Sequence, residues 1–258
     1  NPCNQNAIKK ITDKHGLKLI YDAAHCFGVK ENNTSIMNYG DLSVLSFHAT
    51  KVFNTFEGGA IISHSKEMKQ HIDDLKNFGF RDEVTVIASG INAKMNEIQS
   101  AFGLLQLKYV DTAISKRKEI VNYYRDNLSN LPGIRYLYDM PNVIHNYGYF
   151  PIFINEKEYG KTRNQVYDFL KDNGFYSRRY FYPLISEFPM YANLPSVQKN
   201  NLICAKELSE QVLCLPIYPN LEKSDVVKII NNIADQTKIK FMTDGILLAQ
   251  TVKDRDLL

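Results

Sequence analysis

The chain has 258 residues, 44% hydrophobic and 23% charged, which is enough to bury a sizeable core and typical of an ordinary globular protein. Its net charge of +3, from 31 basic and 28 acidic residues, is too balanced to indicate nucleic acid or a membrane surface as a partner. No apolar run approaches the length of a membrane-spanning helix, and the four cysteines follow no metal or disulfide spacing, so we expect a cytoplasmic protein with reduced thiols and no metal.

The first part of the chain alternates helical and strand patterns. Residues 5–15 have the apolar spacing of a helix, and Gly16 follows at the position where helices often end. Three short apolar runs then predict buried strands, at residues 17–21, 42–47 and 60–62. This alternation favours an α/β domain built on a mainly parallel sheet.

The pattern continues with longer elements toward the carboxyl terminus. We expect helices at residues 66–77, 95–130, 161–173, 199–210 and 224–233, and strands at 147–154 and 212–215. A helix as long as 95–130 is typical of a bridge between domains. We therefore predict a first domain at 1–120 and a small α/β domain at 121–235. The tail, 236–258, has no clear period.

Four polar side chains follow the first two predicted strands. Asp22 and His25 come after one strand, and Ser46 and Lys51 end or follow the next. Ligands of parallel sheets bind at the carboxyl ends of strands, so we expect these groups to lie near one another. A lysine, a carboxylate, an imidazole and a hydroxyl are what a protein needs to bind and use pyridoxal 5′-phosphate (PLP).

Each group has a distinct expected role in such a site. Lys51 would form the Schiff base with PLP and move a proton, and Asp22 would pair with the pyridinium nitrogen. His25 would reach the ring, and Ser46 would donate to the phosphate. Gly58 and Gly59 would allow close backbone approach.

Each residue also has an ordinary structural interpretation. A lone lysine is usually a solvated surface charge, and an aspartate after a strand is commonly a helix cap. A lone His25 or His48 would more often be structural than catalytic, and a glycine pair is often a turn. The functional interpretation depends on finding all of these groups in this order at strand ends.

Several blocks of the sequence together resemble the DegT/DnrJ/EryC1/StrS family of PLP-dependent sugar-nucleotide aminotransferases. The resemblance covers residues 1 to about 235, and the blocks that carry it are Tyr21–His25, Gly40–Asp41, Ser46–Lys51, Glu57–Gly59, Gly90–Glu97, Gln106–Leu107, Arg178–Pro183 and Leu213–Tyr218.

The resemblance implies the fold and the composition of the site. The fold would be that of aspartate aminotransferase (fold type I): a three-layer large domain, here lacking its N-terminal part, and a small α/β C-terminal domain. Asn92 would reach the cofactor phosphate of the other subunit in a homodimer with shared active sites. Tyr180 and Tyr182 would contact the sugar nucleotide.

The resemblance also implies a reaction. The enzyme would move an amino group from L-glutamate to a keto-deoxy sugar nucleotide for O-antigen or other surface-polysaccharide synthesis. The sequence around Lys51 and Asn92 is most similar to that of members acting on dTDP-linked 4-keto-6-deoxy sugars, such as dTDP-4-dehydro-6-deoxyglucose. Relatives that dehydrate sugars carry histidine in place of the lysine, so Lys51 argues against that chemistry.

Two alternatives remain open at this point. The chain begins at Asn1 without a leading strand, and no phosphate-binding turn precedes Asp22, so we expect it to lack the family's N-terminal part. It would then be an inactive fragment that acts at most as a dimerisation remnant. A PLP-dependent lyase or desulfurase is the other alternative, although Cys26 and Cys204 show no sign of a mobile catalytic loop.

Overall fold

The computed structural model describes residues 1–197 and 201–237. The α-helices in these residues are α1 Gln5–His15, α2 Lys66–Lys76, α3 Glu97–Leu107, α4 Val110–Leu128, α5 Glu156–Tyr159, α6 Arg163–Asp172, α7 Ile203–Gln211 and α8 Lys223–Asp235. The strands are β1 Ile20–Asp22, β2 Lys30–Glu31, β3 Thr34–Ser35, β4 Leu42–Ser46, β5 Gly59–Ser63, β6 Ile134–Tyr136, β7 Val143–Ile144, β8 Phe150–Ile154 and β9 Val212–Leu215.

The described residues form two compact units, which we treat separately. The first contains Asn1–Glu119 and Tyr138–Gly148, and the second contains Ile120–Leu137 and the described residues from Tyr149 onward. The domain boundaries predicted from the sequence, 1–120 and 121–235, stay a prediction. The tail predicted at 236–258 lies outside the described residues from position 238 on.

The main sheet of the first unit has the order β1-β4-β5. Strand β1 runs parallel to β4, with Asp22 opposite Val44, whereas β5 runs antiparallel to β4, with Gly59 opposite Ser46. The expectation of a mainly parallel sheet is therefore wrong for these three strands, because the turn after β4 returns the chain directly alongside it. The first strand is also not buried: it begins at Ile20, which is 61% exposed, because β1 forms the edge of this sheet.

Helix α1 is capped at both ends, at its carboxyl end by the Gly16 that the sequence indicated. The Asn4 side chain accepts a hydrogen bond from the N–H of Ala7, and Gly16 adopts the left-handed conformation at the C-cap. These caps satisfy backbone groups that a helix end otherwise leaves without partners. The predicted bounds of this helix, 5–15, are confirmed.

The long helix predicted at 95–130 is wrong, because the chain forms α3 and α4 with a break between them. The N–H groups of Lys108 and Tyr109 each donate to the carbonyl three residues back, at 3.1 and 3.0 Å, which tightens and ends α3. The N–H of Ala113 then donates to the Tyr109 carbonyl and begins α4. No glycine or proline lies at this break, and the apolar spacing continues across it. The sequence pattern therefore predicted one helix where the chain forms two.

A small second sheet joins a late segment of the chain to the first unit. Strands β2 and β3 form a hairpin whose two turn residues, Asn32 and Asn33, both have positive φ, a conformation that asparagine tolerates. Strand β7 pairs antiparallel with β2, with Val143 opposite Glu31. This pairing brings residues 138–148 against a loop that lies more than a hundred residues earlier.

The second unit is built on the antiparallel sheet β6-β8-β9, which helices α6 and α7 contact, and α8 packs against α6. Its fully buried side chains include Ile152, Tyr159, Val166, Leu170, Leu213 and Ile229. The strand predicted at 147–154 begins only at Phe150, because Tyr147 has a φ of 53° and cannot continue an extended chain. The helix predicted at 199–210 is observed as α7, and residues 199–200 lie outside the described residues.

None of the helices in the described part of the chain combines the length and the apolar character that crossing a bilayer requires.

Candidate active site

Lys51 lies on a loop that connects β4 and β5 and is closed by its own backbone. The N–H of Phe47 donates to the Gly58 carbonyl at 2.8 Å, and the N–H of Thr55 donates to the Phe47 carbonyl at 2.9 Å. Within the loop, the N–H of Lys51 donates to the His48 carbonyl at 2.9 Å. The position of Lys51 is thus fixed relative to the end of β4.

The Lys51 amine contacts His25, which lies in the turn after β1. Lys51 Nζ is 3.1 Å from His25 Nε2, within hydrogen-bond distance. Partial burial of the ring, and then the charge of Lys51, lower the pKa of His25, while Asp22 opposes this effect. Donation from the Lys51 amine to Nε2 requires a neutral His25 ring that carries its proton on Nδ1.

Asp22 and Ser46 lie at the ends of the two parallel strands. Asp22 is the last residue of β1, and one of its carboxylate oxygens accepts from the N–H of Ala24 at 3.1 Å. Ser46 is the last residue of β4, two positions beyond the Val44 that pairs with Asp22, so it shares a face with Val44. The Ser46 hydroxyl accepts from the N–H of His48 at 3.3 Å.

His48 holds the turn that precedes Lys51. The N–H of Thr50 donates to His48 Nδ1 at 3.2 Å, so Nδ1 is an acceptor and also takes the Thr50 hydroxyl hydrogen bond at 2.9 Å. This tautomer carries its proton on Nε2, which is 3.6 Å from the Glu57 carboxylate. Glu57 therefore links the far end of the loop to the turn before Lys51.

Three phenylalanines, which the sequence analysis missed, brace the two loops of the site. Phe27 follows His25 by two residues, Phe47 follows Ser46, and Phe53 follows Lys51 by two residues. The rings of Phe27 and Phe53 stack at 4.3 Å, and Phe47 packs edge-on against Phe53 at 4.8 Å. Phe53 is buried, so this cluster joins the two loops by an apolar contact. The sequence did contain a signal for this cluster, because each phenylalanine follows a candidate site residue by one or two positions.

Asn146 was also missed, and it fixes the His25 turn from the late segment. Its side-chain amide donates to the carbonyls of His25 and Phe27, both at 2.8 Å, and its oxygen accepts from the N–H of Gly148 at 3.1 Å. The residue is only 7% exposed. A buried amide with three backbone partners specifies one position of the turn.

Replacing Asn146 with alanine is expected to destabilise the protein by about 2–4 kcal/mol, because three backbone groups lose their partner in a buried place. Asn146→Asp keeps the shape but points a carboxylate at two carbonyls, so we expect at least as large a loss. Chemical denaturation measures both values. Asn6→Ala, at an exposed position of α1, is the control and should change the unfolding free energy by less than about 0.5 kcal/mol. A similar small change for Asn146→Ala would contradict the assigned role.

The glycine pair serves the packing of the chain itself. A Cβ at Gly58 would lie 2.6 Å from Thr55 Oγ1, and a Cβ at Gly59 would lie 2.6 Å from the Leu45 carbonyl oxygen. Gly103 of α3 is similarly close, since its Cβ would lie 2.9 Å from Thr55 Cγ2. The close backbone approach expected at the pair is thus to the loop and to the neighbouring strand.

Within the described part of the first unit, Asn92 does not contact Lys51. Asn92 is exposed and pairs by its backbone with Asn77, and its side chain has no hydrogen-bond partner among the described residues. Tyr180 and Tyr182 belong to the second unit. Arg178 donates to the Tyr180 hydroxyl, and the Arg163 guanidinium stacks over the Tyr182 ring at 4.5 Å.

Comparison with known proteins gives this arrangement a family. The model of the DegT/DnrJ/EryC1/StrS aminotransferase family matches residues 1–234. The chain belongs to this family. Two relatives named dTDP-4-amino-4,6-dideoxy-D-glucose transaminase are 45% identical to it in Shigella dysenteriae, over 91% of the chain, and 48% identical in Escherichia coli, over 88%.

A solved structure supports the same conclusion for the fold of this DegT/DnrJ/EryC1/StrS chain. The structure of DesI in the presence of its TDP-sugar product is 31% identical, with a TM-score of 0.84 over 98% of the chain. The predicted aminotransferase fold is confirmed. The chain spans 62–63% of the length of these relatives and 62% of the DesI chain.

The residues around Lys51 fit the PLP on which aminotransferases of the DegT/DnrJ/EryC1/StrS family depend. They supply a primary amine, a neutral imidazole 3.1 Å away, and a carboxylate and a hydroxyl at the ends of adjacent strands. Amine, acid and hydrogen-bond donor are the three groups that this cofactor requires.

The lowered pKa of His25 predicts a pH dependence of stability. Between the ordinary pKa of 6.5 and the lower folded value, the unfolded chain binds a proton that the folded chain does not. The unfolding free energy should therefore fall as the pH drops through this window, and the effect should vanish above it. Denaturation of the protein and of His25→Gln at about pH 7.5 and about pH 5.5 measures this, and His25→Gln should show the smaller decrease. Equal decreases in both proteins would contradict the prediction.

Proposed function

We propose that this chain carries the PLP-binding lysine of a sugar-nucleotide aminotransferase. The observation that carries the proposal is the contact between Lys51 Nζ and His25 Nε2 at the ends of strands β1 and β4, with Asp22 as the last residue of β1. Family membership over residues 1–234 supports it independently.

The substrates follow from the names of the relatives. Two transaminases that form dTDP-4-amino-4,6-dideoxy-D-glucose are 45% and 48% identical to this chain. We infer that the acceptor is dTDP-4-dehydro-6-deoxyglucose and the donor is L-glutamate, and that the product enters O-antigen or related surface-polysaccharide synthesis. We also propose that the chain forms a homodimer in the cytoplasm. The domain boundaries predicted from the sequence, 1–120 and 121–235, belong to the same proposal.

Each residue of the site has a task in this reaction. When bound, PLP supplies an electron-accepting ring that makes the α-proton of an amino acid acidic. Lys51 Nζ takes this proton and returns it, and the neutral His25 beside it accepts a hydrogen bond from the amine. The Asp22 carboxylate would pair with the positively charged pyridinium nitrogen of the cofactor. The Ser46 hydroxyl would donate a hydrogen bond to an oxygen of the cofactor phosphate.

The remaining candidates bind rather than react. Asn92 is exposed on the first unit, and we propose that it donates to the cofactor phosphate bound by a second copy of the chain. Tyr180 and Tyr182 contact the sugar nucleotide. Tyr182 is 41% exposed, so a part of its ring is free to do so.

The test is the visible absorption spectrum of the purified chain with added PLP, before and after L-glutamate. A protein-bound band that glutamate removes is expected. The spectrum of free PLP, unchanged by glutamate, would contradict the proposal for this chain and favour the inactive fragment. The desulfurase alternative needs a reactive cysteine, and burial raises the pKa of the Cys26 thiol, which disfavours Cys26 in that role.

A further inference from the structure

Two guanidinium groups, one buried and one half-buried, lie side by side in the second unit. Arg163, at the start of α6, and Arg179 both donate to the side-chain oxygen of Asn164, at 2.9 and 3.1 Å. Both also stack on the ring of Tyr182, with distances to its centroid of 4.5 and 5.5 Å. Arg179 lies 4.3 Å over the ring of Tyr167 as well. The two positive charges are thus bound side by side by neutral groups.

Arg163 is an unusual residue to find in such a pair. It is 2% exposed, and its other hydrogen bond goes to the carbonyl of Val212 at 2.9 Å. Burial, and then the neighbouring charge of Arg179, lower the pKa of Arg163, while Tyr182 and Glu210 oppose this effect. Among the described residues, no carboxylate forms an ion pair with either arginine.

This pairing leaves positive charge without compensation in a partly buried place. Buried charges are normally paired, because removing a charge from water costs free energy that a counter-ion offsets. Arginine also donates from a planar fork that matches phosphate oxygens in pairs. Arg179 still has donors that no described residue accepts, and it is only half-buried.

We propose that Arg163 and Arg179, with Tyr182 and Asn164, form an anion-binding subsite for the diphosphate of the sugar nucleotide. Arg179 donates to the phosphate oxygens, and Arg163 contributes charge and holds Asn164 and Tyr182 in position. The chemical class rests on the proposed function, which supplies a nucleoside diphosphate as part of the substrate.

Isothermal titration of the purified chain with dTDP tests the subsite without PLP and without turnover. We expect Arg179→Gln to weaken dTDP binding by roughly tenfold or more, because a hydrogen bond to a charged group is lost. Arg179→Lys keeps the positive charge but loses the planar guanidinium. Its affinity for dTDP should therefore lie between those of the unaltered chain and Arg179→Gln. Lys171→Gln, which removes an exposed charge at the end of α6, should leave the affinity unchanged.

The outcomes separate this subsite from the rest of the proposed function. Inorganic pyrophosphate should compete with dTDP in the unaltered chain and less well in Arg179→Gln. Lys51→Ala should bind dTDP normally, whatever its PLP spectrum shows. Equal binding of dTDP by Arg179→Gln and the unaltered chain, or no binding by either, would overturn the subsite. A loss of L-glutamate binding alone in Arg179→Gln would assign the arginines to the donor carboxylate and also overturn it.

Discussion

Replacing Lys51 with alanine is expected to abolish transamination, by at least roughly 10⁴-fold, because the Lys51 amine is the group proposed to form the Schiff base and to take the proton. The protein-bound PLP band should be lost as well. Single-turnover measurements with L-glutamate, on a preparation of Lys51→Ala that is correctly folded by circular dichroism, provide the test.

A second measurement separates a missing lysine from a damaged fold. The charge of Lys51 lowers the pKa of His25, so Lys51→Ala should move the pKa of this imidazole upward in a proton NMR titration. Lys14→Ala, at an exposed position near the end of α1, is the matched control and should change neither turnover nor the His25 pKa. Retained turnover in Lys51→Ala would contradict the role assigned to this residue.

Asp22→Asn is expected to reduce turnover by roughly 10²–10³-fold while leaving the fold intact. The substitution is nearly isosteric, and the amide oxygen can still accept from the N–H of Ala24, which the carboxylate now does at 3.1 Å. What is lost is the negative charge that we propose pairs with the pyridinium nitrogen and lets the ring accept electrons.

The same substitution has a readout that does not depend on turnover. Asp22 raises the pKa of His25 against the effects of burial and Lys51, so Asp22→Asn should lower this pKa further. Asp13→Asn removes a carboxylate whose partner is Lys9 on α1 and serves as the control. Unchanged turnover in Asp22→Asn, with PLP still bound, would argue that another group faces the pyridinium nitrogen.

Local signals in the sequence were sufficient where the structure is local. Helix α1 has the predicted bounds and ends where Gly16 indicates, and α6 begins at the capping box of Thr162 and Gln165, close to its predicted start. The break between α3 and α4 was missed because no glycine or proline causes it. Tertiary contacts of Gly103 with the Lys51 loop orient α3, and the apolar period does not contain that information.

The residues of the site also differ in how far local sequence could predict them. The predicted strands and the polar residues that follow them were enough to predict that Lys51 and His25 lie near one another. Asn146 could not be found like this, because its importance comes from a pairing between β7 and β2 that only the folded chain creates. Asn92, Tyr180 and Tyr182 stay predictions, since their roles depend on ligands or on a second copy.

The hydrogen bond from Asn146 to the His25 carbonyl spans 121 residues. During synthesis, at about 5–20 residues per second, the His25 turn therefore waits roughly 6–24 s before the residue that fixes it has been made. A contact of such long separation also pays a large loop-closure cost, which slows its formation. A nascent chain stalled before residue 146 should accordingly carry a His25 turn that is still exposed to proteases, and protection of this turn should appear only after the β7 segment has left the ribosome.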